Sequence, residues 1–214
     1  MNKAESVVKY YVLCNKLKDV VRTGWKDWNV SRDRVESVAE HTYGVQMLAI
    51  AMKSQYEYDI DLEKVILMLA VHELEEIYIG DLTLFQISKE EKAKLGHEAV
   101  TKVLDGILDK EQISNIILEF DERMTKEAVF AYHCDKLECD LQSKLYDEEG
   151  CVDLNNQEGN KTFYDDKVKK LLEKEKSWSG MWLQFGQDRY NYDDNFLEVS
   201  NYAKNNRIKN LIKD

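Results

Sequence analysis

The segment Val65-Ile-Leu-Met-Leu-Ala-Val71, running without interruption into His72-Glu73-Leu74-Glu75-Glu76, decides the fold. Its first seven residues are apolar on every face of a helix, so the helix carrying them lies inside the molecule rather than on its surface. Asp61 is placed to cap its start, Leu62 to about Ile79 is its predicted extent, and Gly80 is its stop. A histidine and three carboxylates at the end of a buried helix are costly. Uncompensated charges there shift their pKa values or need partners, and a divalent cation is one such partner. On a continuous helix His72 and Glu76 share a face. His72 and Glu73 point about 100° apart, which still lets both reach one ion. The competing reading is that the helix emerges into solvent at Glu73 and leaves His72 at the boundary.

Working outward, the capping box Ser37-Val-Ala-Glu40 predicts a helix to about Gln55. His41, Val45, Leu48 and Met52 form one stripe on it, which puts His41 on the core-facing side. A lone core histidine is more often hydrogen-bonded than a ligand. Here two of only four histidines fall at buried helix ends, which favours ligation. Further helices are predicted over Ser6–Val21, Lys89–Leu108, Glu111–Phe120, Lys126–Lys144 and about Lys161–Lys176, followed by an aromatic segment, Trp178–Tyr192, and a final polar helix. Residues 22–36 and 146–159 read as loops. In the helix after Lys126, Ala128, Ala131, Tyr132, Asp135 and Cys139 share a stripe. An aspartate on such a face needs a partner, either a metal or a Lys or Arg. His133 points away from that stripe.

The composition agrees with an all-helical protein. At average usage a chain of 214 residues holds about ten prolines, and this one holds none. With 43% hydrophobic residues it suits one globular domain, read as 1–150 with a C-terminal helical extension, 151–214, packed on it. A formal charge of -11 argues against a nucleic-acid-coating protein but not against a small phosphorylated substrate. Cys14, Cys134, Cys139 and Cys151 make no CxxC pair, and no apolar run approaches the roughly 18 residues of a membrane span. The expectation is a cytoplasmic protein with reduced thiols and no membrane partner.

The order His41 … His72-Glu73 … Asp135 resembles the H…HD…D pattern of HD-domain phosphohydrolases. Arg22-Thr-Gly-Trp25, Glu40-His41 and His72-x-x-x-Glu76-x-x-x-Gly80-Asp81 together resemble the 5'-deoxynucleotidase branch of that superfamily, over about residues 12–145. The resemblance implies an HD-domain helical bundle, a homodimer, and removal of phosphate from deoxyribonucleoside 5'-monophosphates by a metal-activated water. It implies one divalent metal (Mn, Co, Fe, Ni, Zn or Mg) held by His41, His72, Glu73 and Asp135. Arg22 would orient the substrate, Trp25 would pack on the sugar, and Thr83 would lie near it. Glu76 and Asp81 would handle the water and the leaving oxygen. Such chemistry is coherent, because a metal polarises phosphoryl oxygen and lowers the pKa of bound water, while arginine offers phosphate a bidentate fork.

One departure stands out. Glu73 occupies the place of the aspartate in the His-Asp doublet, one methylene longer, where metal–ligand distances tolerate only about 0.2 Å. Three outcomes follow from it: catalysis with a retuned metal preference, slow catalysis, or a module that binds nucleotide without turnover, as a scaffold does.

Overall fold

The computed structural model describes residues 2–83 and 86–212. The described residues are helical, apart from turns and one isolated antiparallel bridge between Val21 and Ser37. The all-α expectation therefore holds. The chain divides into two compact units, residues 1–23 with 36–132, and residues 24–35 with 133–214. The expected boundary near residue 150 falls inside the second unit.

The first unit contains α1 (Lys3–Asn15), α3 (Val38–Gln55), α4 (Leu62–Val71), α5 (Glu76–Ile79), α6 (Lys89–Val103) and α7 (Lys110–Glu122). Two helices are shared across the division, α2 (Thr23–Asp27) and the long α8 (Lys126–Glu148). As the apolar run implies, α4 is central: Val65, Met68 and Leu69 are fully buried, and the helix packs on α3 and α7. Asp61 caps it through the Lys64 amide. The capping box at Ser37 and Glu40 is present in both directions, with Ser37 Oγ accepting from the Glu40 amide and the Glu40 carboxylate accepting from the Ser37 amide.

The expected helix from Leu62 to Ile79 is broken. It ends at Val71 with His72 as its C-cap, and residues 72–75 form tight turns before α5. The amides of Leu74, Glu76 and Ile77 bond three residues back, to Val71, Glu73 and Leu74. His72 and Glu76 are therefore not one turn apart on a single helix. The winding between them is tighter than α, which a helical wheel does not anticipate.

The second unit holds the rest of α8, then α9 (Asp166–Glu175), α10 (Trp178–Arg189) and α11 (Asp194–Asn205). The aromatic segment is thus a helix, and α9 starts later than expected because residues 161–165 are turns capped by Asp165. Trp25, Trp28, Tyr146, Cys151, Val168, Trp178 and Met181 form its core. The segment around Gly159 is tied down by Gln157, whose Nε2 donates to the Trp28 and Asp153 carbonyls. In α10 Gly186 faces Asp140 so closely that an added Cβ would fall inside contact distance of the carboxylate.

Candidate metal centre

Three of the expected metal ligands come together in the first unit. His41 lies one turn inside α3, whose start is held by the capping box and by the bridge to residues 20–22. The Arg22 amide donates to the Glu36 carbonyl at 3.0 Å, and the Val38 amide to the Val20 carbonyl at 2.8 Å. The His41 side chain is 0% exposed. Its ring centroid is 5.6 Å from that of His72. His72 Nδ1 donates to the Leu69 carbonyl at 2.7 Å, which leaves the Nε2 lone pair of the neutral ring for a ligand. Phe120 packs at 5.2 Å on the same ring.

Glu73 Oε1 lies 3.6 Å from His72 Nε2 and 3.8 Å from His41 Nε2. Donors each about 2.1 Å from one ion can lie at most about 4.2 Å apart. The His, His and carboxylate set therefore fits a divalent cation, and these donor atoms all fall within 4.8 Å of one another.

Around this set, Arg22 Nη1 donates to Glu73 Oε1 at 3.2 Å and Arg22 Nε lies 3.9 Å from Asp81 Oδ2. Asp81 follows Gly80, whose φ of 71° places the chain in a region open to glycine. The turn brings Asp81 to Thr23, whose amide donates to Asp81 Oδ2 at 2.7 Å and whose hydroxyl donates to the Asp81 carbonyl at 2.5 Å. Glu76 is 1% exposed, with Lys92 Nζ at 3.8 Å from its Oε1. Its Oε2 has no hydrogen-bond partner among the described residues. Burial, then the neighbouring Glu73 and Asp81 carboxylates, push its carboxyl up to about 10, with Arg22 and Lys92 pulling the other way.

The remaining expected residues sit as follows. Thr83 donates its amide and hydroxyl to Gln86 Oε1, at 2.9 and 3.3 Å. Asp135, in the second unit, lies on α8 three residues past the division and is buried, with Lys136 Nζ at 2.8 Å. The lysine partner weighed as its alternative is therefore present. Trp25, also in the second unit, is 2% exposed and packs edge-on against Tyr146 and Trp178, with Trp182 tilted beside it at 5.4 Å. His133 packs against Tyr192 and Phe196. Sequence reasoning missed Thr23 and Lys92. Thr23 stands inside the Arg22–Trp25 motif, a signal that was available. Lys92 lies on a polar helix surface where nothing marks it.

In this helical fold two histidines and a carboxylate converge beside an arginine, a donor set that could hold a divalent cation. The chain belongs to the HD-domain family, whose model matches residues 14–177. It is 33% identical over 151 residues to 5'-deoxynucleotidase HDDC2 of Dictyostelium discoideum, covering 66% of this chain and 78% of that one. It is 31% identical over 167 residues to 5'-deoxynucleotidase HDDC2 of Homo sapiens, covering 76% of each. In fold it is similar to a crystal structure of a predicted metal-dependent phosphohydrolase from Magnetospirillum magnetotacticum, with a TM-score of 0.63, 17% identity, and 97% and 93% of the two chains covered.

Proposed function

We propose that the protein is a metal-dependent phosphohydrolase that releases phosphate from deoxyribonucleoside 5'-monophosphates, with His41, His72, Glu73 and Asp135 as metal ligands. The coarser class, a nucleotide phosphohydrolase of the HD family, follows from its relatives. The observation that carries the reading is the convergence of His41 Nε2, His72 Nε2 and Glu73 Oε1 beside Arg22. A divalent cation bound there would polarise the phosphoryl oxygen and lower the pKa of a coordinated water.

The chain's own groups supply the rest. Arg22 offers its guanidinium fork to the phosphate. Attack of water forms one P–O bond, the P–O5' bond breaks, and the departing oxygen takes a proton. Glu76 and Asp81, the latter steadied by Thr23, would handle the water and the departing oxygen. The family resemblance would give Thr83 and Trp25 the nucleoside side, although Trp25 is 2% exposed and packed among Tyr146, Trp178 and Trp182. The apolar groups exposed on α1 (Val7, Val8, Tyr11 and Val12) and on α3 (Tyr43, Met47 and Ile50) support a homodimer, which light scattering measures. No helix among the described residues is long and apolar enough to cross a membrane.

The test is a panel of dAMP, dGMP, dTMP and their ribonucleotides, assayed for phosphate release with Mn, Co, Ni, Zn or Mg. Release from the deoxynucleotides that disappears in His72→Ala supports the reading. Metal-replete protein that binds these nucleotides but releases phosphate from none of them would establish the scaffold alternative instead.

A further inference from the structure

Glu73 stands where the HD doublet has aspartate, and its extra length has a visible use. One oxygen, Oε1, lies 3.2 Å from Arg22 Nη1, 3.6 Å from His72 Nε2 and 3.8 Å from His41 Nε2. The Arg22 and Glu73 side chains are 13% and 12% exposed, so solvent screens their attraction less than it screens a surface pair. An aspartate on the same backbone would end about 1.5 Å earlier and could not span both neighbours.

We propose that Glu73 serves two cations in competition, the Arg22 guanidinium and the divalent metal, so that metal loading releases Arg22 to the substrate phosphate. The inference rests on the metal reading above and adds an order to it, metal first and nucleotide second. A cation seated between the histidines and Oε1 draws on the electron pair that Arg22 now shares, and two positive groups on one oxygen repel. Only the far end of Arg22 needs to move. Its amide is fixed to the Glu36 carbonyl, and the next residue, Thr23, is fastened to Asp81 at two points. Metal and phosphate then reinforce one another's binding, and the coupling is reciprocal.

The experiment is a Mn²⁺ titration of the full chain, read by the electron paramagnetic resonance signal of free Mn²⁺ without nucleotide. Wild type, Arg22→Ala, Arg22→Gln, Glu73→Asp and both double variants are compared, with thermal melts to confirm folding. Removing the guanidinium by either substitution is expected to tighten Mn²⁺ about five- to tenfold. In the Glu73→Asp background the gain is expected to shrink below about twofold, because the shorter carboxylate is no longer shared. An equal gain in both backgrounds would mean that Arg22 acts only through its charge, and would overturn the proposal. So would an unchanged affinity in Arg22→Ala and Arg22→Gln. Folded wild type that binds no Mn²⁺ would instead remove the metal reading, and this inference with it.

Discussion

The two units differ in the hydrogen-bond donors they give their carboxyls. In the second, carboxyls hold hydrogen-bond donors, although burial and the Asp135 and Glu138 carboxylates still push Asp140 well above the ordinary range. Asp140 accepts from the Tyr192 hydroxyl at 3.1 Å, Asp147 from the Ser179 amide and hydroxyl, and Glu148 from the Ile208 and Lys209 amides. In the first, Glu73, Glu76 and Asp81 crowd one another, and their mutual repulsion adds to burial in raising the Glu76 carboxyl. Arg22 and Lys92 are the cations that oppose it. A fold that leaves negative charge in excess around histidine lone pairs is prepared for a cation. What separates the two settings is a donor: Asp140 has the Tyr192 hydroxyl, whereas Glu76 Oε2 has none among the described residues.

The sharpest way to break this comparison is to remove a metal-donor candidate from the first unit. His72→Ala is expected to lower phosphate release on the order of 100-fold or more, as loss of metal-site groups does, while far-ultraviolet circular dichroism stays that of the folded chain. The counterpart in the second unit is Gly186→Ala, whose Cβ would press on the Asp140 carboxylate. It is expected to lower the urea unfolding free energy by about 1–3 kcal/mol while activity per folded molecule is kept. Tyr192→Phe, which removes the Asp140 donor, is expected to cost about 1–2 kcal/mol in the same measurement.

A pH series sharpens the comparison further. Glu76 is raised from the ordinary 4.5 to about 10, and Glu75 to about 8 by burial and by Glu73. Folded protein therefore holds protons that the unfolded chain releases. The stability from this preference is present below pH 4.5 and is lost as pH rises through 8 and then 10. In chelator the melting temperature should fall across that window. Glu76→Gln should flatten the fall, and a divalent cation should do the same in the wild type.

Much of the first unit was legible before the structure. The apolar run, the two N-terminal caps and the stripe bearing His41 each depend on residues a turn or so apart, where helix rules operate. The break after Val71 was not legible, because nothing local distinguishes a helix that continues through His72 from one that tightens there. The Thr23–Asp81 pairing joins residues 58 apart, and the aromatic stretch 178–192 became a helix around a tryptophan core that no local pattern announces.

By itself, then, the sequence determined the helical class, the central position of α4 and the residue types able to hold a metal. These follow from hydrophobic periodicity, capping and the cost of burying charge. Only the tertiary structure decided that Glu73 faces Arg22 as well as the histidines, that Thr23 fastens Asp81, and that Glu76 is pressed by two other carboxylates. Those relations depend on distances between segments far apart in the chain, which local preference does not set.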